Sequence, residues 1–99
     1  MSDYQYCSQY QRHVELIGRR WNAVIIRALL AGFSQFTALK DAIPGISDRM
    51  LSERLRELEA EGILTRTVIP ETPVRVVYQL TDKGRALEPV LGELISWIS

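Results

Sequence analysis

Arg49, Ser52, Glu53 and Arg56 form the densest grouping of chemistry in this chain. At ~100° per residue they share one side of a helix. Two guanidiniums on a polar face suit bidentate contact with phosphate oxygens and guanine edges. That is chemistry for recognition. Sets for making or breaking covalent bonds are missing: there is no Ser/His/Asp grouping, no phosphate-cradling glycine loop and no carboxylate pair with a supporting motif. His13 is the one histidine and Cys7 the one cysteine, with no partner at metal-ligand spacing. No enzyme, metal or cofactor is therefore expected. Cys7 has two readings. It is either an ordinary thiol near the start of the chain or a redox or electrophile sensor, which needs exposure and thiolate character; Arg12 and His13 stand close to it in sequence.

The elements that must position the arginines are well marked. Ser47 suits an N-cap and Asp48 the first turn of a helix, where the dipole favours negative charge. Ile46 and Leu51 occupy the two positions of a hydrophobic staple. Leu51, Leu55 and Leu58 fall on one narrow face opposite the arginines, and Gly62 ends a helix of about 47–61. Before it, Phe36, Leu39 and Ile43 give the inner face of a shorter helix, which Pro44-Gly45 breaks. After it, Leu64–Ile69 and Val74–Leu80 are rich in Thr, Val and Ile and read as strands joined by the loop Pro70–Pro73. Two helices around a tight turn, followed by a hairpin wing at about 64–80, make a winged helix-turn-helix, a shape that enters DNA grooves. Ser47, Arg49, Met50, Ser52 and Glu53 lie towards the end that should meet the major groove. Arg56 suits a phosphate, while Arg54 sits nearer the apolar face and is expected to pair with Glu57 or Glu61. Arg75, just past the wing tip, suits phosphate or the minor groove, and Arg66 on the facing strand is a weaker candidate.

Residues 1–9 have no clear period and read as a flexible segment or a dimer arm. Tyr10, Val14 and Ile17 mark a short helix ended by Gly18. Trp21, Val24, Ile25, Ala28 and Leu29 mark a second, widened by Ile26 and Leu30, which is expected to be the central core helix and to stop at Gly32. Thr81 is expected to cap a last helix over about 81–99. Leu87, Val90, Leu91, Leu94, Ile95 and Ile98 form its apolar stripe, with Pro89 inside it expected to kink the helix or mark a bend. That stripe exceeds what one small domain buries, so dimerisation is its natural outlet. Tyr10, Trp21, Phe33 and Trp97 are either core or the lining of an effector pocket between the first and last helices.

Ninety-nine residues make one domain, 1–99, with the 46% apolar and 24% charged content of an ordinary globular protein. No apolar run approaches the ~20 residues of a membrane span, and no leader precedes a cleavage site, so a cytoplasmic protein is expected. Twelve basic and twelve acidic residues cancel, and ten of the bases are Arg. With no net attraction for DNA, binding rests on where the charge sits. A winged helix used for protein interaction stays open as the alternative.

The residues from Cys7 to Trp97 resemble the HxlR group of bacterial winged-helix transcription regulators, relatives of the MarR class. The resemblance rests on ELIGRRW (Glu15–Trp21), FTAL (Phe36–Leu39), PGISDRMLSERLRELEAEGIL (Pro44–Leu64), PVRVVYQLTDKG (Pro73–Gly84), LEPVL (Leu87–Leu91) and Trp97. It implies a fold that is mainly α with a small β-hairpin wing, dimeric through the N- and C-terminal helices. It also implies a homodimeric repressor on a palindromic operator, a double-stranded DNA partner, and a small-molecule or electrophile effector. Ser47, Arg49, Met50, Ser52, Glu53 and Arg56 match the family's recognition-helix positions, and Arg75 matches its wing arginine. Cys7 matches an N-terminal cysteine that some members use to sense quinones or oxidants. Ser8, Arg19, Gln35 and Val77 depart from the residues common in the family.

Overall fold

A computed structural model describes residues 4–99; the part of the expected arm at 1–3 lies outside the described residues. The order is α1 (Ser8–Gly18), α2 (Asn22–Leu30), α3 (Phe36–Ala42), α4 (Asp48–Ala60), β1 (Leu64–Ile69), β2 (Arg75–Leu80), α5 (Asp82–Arg85) and α6 (Glu88–Ile98). Helices α3 and α4 are the helix-turn-helix. The two strands are its wing, an antiparallel pair registered from Leu64 opposite Leu80 to Ile69 opposite Arg75.

One core holds these elements. Ile25 and Ile26 of α2, Leu39 of α3, and Leu51, Leu55 and Leu58 of α4 are buried together with Ile43, Ile46, Leu64 and Leu91. Burial of a leucine or isoleucine side chain contributes about 1.5–3 kcal/mol, so three leucines anchor α4 firmly. Its start is as well fixed as its face. Ser47 Oγ accepts from the Met50 backbone N–H at 3.0 Å, and the staple residues Ile46 and Leu51 are both buried. The turn before it reverses at Gly45, with φ of 90°.

The wing is tied down at its base. Tyr78 N–H donates to the Ser34 carbonyl at 2.7 Å, linking β2 to the α2–α3 loop. The Thr81 hydroxyl is shared between the Gly62 and Ile63 carbonyls and accepts from Gly84 N–H at 3.1 Å. Gly84 packs so closely that a Cβ there would strike the Ile63 carbonyl oxygen. The glycine lets α5 sit against the strand it follows.

Several expectations are corrected. The last helix is not continuous over 81–99: Thr81 caps only the single turn α5, and a separate α6 begins at Glu88. Pro89 falls in the first turn of α6, where its missing N–H has no intrahelical acceptor to lose; of the two expected outcomes, it marks a break between α5 and α6 and not a kink within one helix. Trp21 precedes α2 and does not lie within it, taking a left-handed φ of 81°. Val24 is exposed, so the buried face of α2 runs through Ile25, Ile26 and Leu29. Helix α1 also begins earlier than expected and takes in Ser8 and Gln9.

Candidate nucleic-acid interface

Helix α4 presents its polar side away from the leucines, and the expected contact residues divide by what they already hold. Arg49 is 89% exposed and pairs with Glu53 across one turn, Nε to Oε1 at 3.2 Å. Exposed i,i+4 pairs are worth only ~0.3–0.5 kcal/mol, so a phosphate or base edge can displace the carboxylate. Ser47 spends its hydroxyl on the cap, although its position at the open end of α4 stays exposed. Met50 is half-buried against the core, and its sulfur accepts from Arg54 Nε at 3.4 Å. Met50 therefore shapes the helix surface more than it reaches outward.

The structure brings Ser52, Arg56 and Glu59 of α4 together with Arg66 of β1 and Tyr78 of β2, lining an open cleft between helix α4 and wing. Arg56 and Arg66 are exposed, and neither has an ion-pair partner among the described residues. Two guanidiniums on one cleft, with the Glu59 carboxylate beside them, have the chemistry to hold a phosphate through charge-assisted bidentate bonds. Arg66 was the weaker candidate in the sequence; the antiparallel register, placing it opposite Tyr78, is what brings it beside α4. Arg75 stands at the wing tip, opposite Ile69, with Glu71 at 3.5 Å. The Thr72–Pro73 peptide in the loop between them is cis.

Cys7 is exposed and occupies the N-cap of α1, its Sγ accepting from the Tyr10 N–H at 3.4 Å. Neither basic neighbour in sequence is turned to it. Arg12 pairs with Glu61 at 2.8 Å, and His13 Nδ1 bonds the Gln9 carbonyl at 2.8 Å. Tyr4, Tyr6, Cys7 and Tyr10 line a shared surface hollow with Val14. The four aromatics read as either core or the lining of an effector pocket do not line one pocket. Tyr10 belongs to that hollow, Trp21 and Phe33 line a groove between α2 and the turn before α4, and Trp97 is 81% exposed near the end of α6.

Comparison with known proteins accounts for this arrangement. The HxlR-like helix-turn-helix pattern matches residues 16–99. The HTH-type regulator YvaP of Bacillus subtilis strain 168 is 48% identical over 97 residues, spanning 98% of this chain and 90% of the relative. The chain belongs to the HxlR family. YodB, another HTH-type transcriptional regulator of that organism, is 46% identical over 91 residues, covering 92% of this chain and 81% of its own. The reduced form of YodB superposes with a TM-score of 0.85 at 45% identity, over 94% of this chain and 91% of that one. Its quinone-bound form gives 0.81 at 40% identity, over 94% and 97%. The chain is thus an HxlR-type transcriptional regulator with a DNA-binding helix-turn-helix, and its family is not one of enzymes.

In this HxlR-type chain a polar junction behind α4 carries more than its sequence suggests. Asn22 is fully buried; its Nδ2 donates to the Leu16 carbonyl at 2.8 Å and to Glu57 Oε1 at 3.1 Å. Glu57 also takes Arg54 at 3.0 Å and Arg19 at 3.3 Å. The expected choice of Arg54 between Glu57 and Glu61 falls to Glu57. Arg19, one of the departures from common family residues, supplies a further guanidinium to the same carboxylate. A single glutamate therefore links the α1–α2 joint to the recognition helix. Asn22, between Trp21 and Ala23, offers no periodic signal, and only the fold reveals its partners.

Proposed function

We propose that this regulator reads a palindromic operator as a homodimer and acts as a repressor whose binding responds to modification of Cys7. In each protomer, α4 enters the major groove with Arg49, Ser52 and Glu53 nearest the bases and with Ser47 and Met50 shaping its leading end. Arg56 and Arg66 hold the phosphates that pass through the helix–wing cleft, and Arg75 reaches the backbone or minor groove beyond. The observation that carries this reading is the cleft itself: two unpaired guanidiniums between a helix of groove-entering geometry and its wing. Net charge is zero, so the local cluster, not the whole molecule, supplies the attraction.

Dimerisation covers the exposed Val14 of α1 and Val90, Leu94, Ile95 and Ile98 of α6. Two-fold symmetry then sets the recognition helices about 34 Å apart, one turn of DNA. Cys7 sits on the dimer-forming end of α1, so a bulky adduct or a Cys7–Cys7′ disulfide removes its cap and shifts α1 against the partner. A quinone-bound form of YodB supports an electrophile as the effector.

The test is fluorescence anisotropy on the DNA upstream of the gene, across a salt series, with and without diamide. Tight, competitor-resistant binding whose logarithm falls steeply with log salt is expected, with loss on diamide in wild type and not in Cys7→Ser. Binding no tighter than to random DNA sinks operator reading. A Cys7→Ser protein that still responds normally to diamide and quinones rules out the thiol.

A further inference from the structure

The groove holding Trp21 and Phe33 has a composition that neither DNA binding nor Cys7 explains. It is an open groove of about 540 Å³, within the ~300–1,000 Å³ range of small-ligand sites. Its walls are aromatic and aliphatic, from Trp21, Phe33, Val24, Ala28 and Ile43. Two arginines, Arg20 and Arg27, stand among them, and no carboxylate lines the groove. Neither arginine has an ion-pair partner among the described residues. The exposed Arg20 guanidinium lies over the Trp21 indole, 4.9 Å from the ring centroid, a cation–π contact that keeps its charge beside the groove.

We infer that this groove binds a small planar aromatic carboxylate, its ring against Trp21 and Phe33 and its anion facing Arg20 and Arg27. The chemistry is complementary at both ends. A planar guanidinium matches a carboxylate through paired N–H donors, and stacking on aromatic faces selects a flat apolar body. A neutral aromatic leaves both cations unanswered, and an aliphatic acid gives up the stacking.

The location makes occupancy consequential. Ile43 and Pro44, which close one side, belong to the turn that launches α4. A Cβ on Gly45, in that same turn, would lie 3.7 Å from the far edge of the Trp21 ring. Trp21 holds a left-handed backbone, which a bulky residue keeps only where its surroundings enforce it. A ligand beside the indole therefore presses on the element that sets the angle of the recognition helix. Its regulatory effect rests on the DNA-reading proposal above; the binding itself does not.

The decisive experiment follows the indole N–H signals of the ¹⁵N-labelled full chain by NMR during titration with 2-naphthoate, without DNA. The chain has two tryptophans, and Trp97→Phe identifies the Trp21 signal. A saturable shift of Trp21 is expected, with affinity about tenfold lower for neutral 2-naphthamide and for Arg27→Gln, the usual size for losing one charge-assisted contact. No saturable shift, as when a second copy fills the groove, overturns the inference. So does equal affinity for acid and amide, or a response at Trp97 in place of Trp21. Naphthoate binding by a protein that ignores operator DNA would refute the regulatory reading and leave the site standing.

Discussion

Helix α4 buries Leu51, Leu55 and Leu58 within its own chain, whereas α6, richer in apolar side chains, buries Leu91 and leaves Val90, Leu94, Ile95, Trp97 and Ile98 exposed. Helix α1 has no buried residue at all. The helix-turn-helix thus satisfies its burial internally, and the terminal helices do not. The difference separates two tasks. The reading head must be rigid before it meets DNA, so its leucines, cap and staple are complete in one chain. In the proposed dimer the terminal helices would set how two heads are spaced, with a second copy completing their burial.

The comparison breaks first at the core. Leu51→Ala is expected to cost about 2–5 kcal/mol in unfolding free energy, read by chemical denaturation against wild type at the same protein concentration. A loss below ~1 kcal/mol would mean that α4 is not anchored as described. Next comes Leu94→Asp, which places a charge on the exposed stripe of α6. Sedimentation equilibrium should show a shift from dimer to monomer, by at least the ~2 kcal/mol of an interface hot spot, while the circular dichroism spectrum stays that of a folded chain. An unchanged association state would remove α6 from the interface.

Effects at the reading face are smaller and sort by contact type. Arg49→Ala should weaken operator binding by about 1–3 kcal/mol and relax base preference, whereas Arg66→Ala should weaken all sequences alike and lower the salt slope by about 1. Interchanged behaviour would reassign the two arginines. The smallest effect concerns the Arg12–Glu61 pair between α1 and the end of α4. The hydrogen bond from Arg12, and then its charge, hold the Glu61 carboxyl below its usual range. A lowered carboxylate pKa means that the pair's contribution is present above the ordinary carboxylate range and lost as pH falls through the lowered value. Carboxyl NMR titration of Arg12→Gln should show the Glu61 midpoint move up; no movement would mean the pair is not formed in solution.

Much of the reading head was legible from residues alone, because its signals are local. Pro44-Gly45, Ser47, the Ile46–Leu51 staple and the three leucines each act within a turn or two of the chain. The strands were legible to within a residue, from β-branched residues bounded by Pro70 and Pro73. What escaped depends on distant contacts. Trp21 looked like a helix residue because its spacing to Ile25 fits, yet its left-handed backbone is imposed by the joint it fills. The aromatic quartet was grouped by residue type, and tertiary structure sent its members to three different surfaces. Pro89 reads as interior to one long helix because the apolar stripe runs through it, whereas the structure starts α6 at Glu88 and puts the proline in its first turn. Arg66 gained weight only from strand register, and Asn22 only from its buried bonds to Leu16 and Glu57.

The most direct test of the two-task account measures anisotropy of labelled upstream DNA and of a scrambled duplex, with wild type and Leu94→Asp side by side at several salt concentrations. The account predicts tight, salt-steep, sequence-selective binding by wild type and its loss in a folded monomeric Leu94→Asp. Equal operator affinity for the monomeric variant, or no preference for the upstream DNA over the scrambled duplex at any salt, would contradict it.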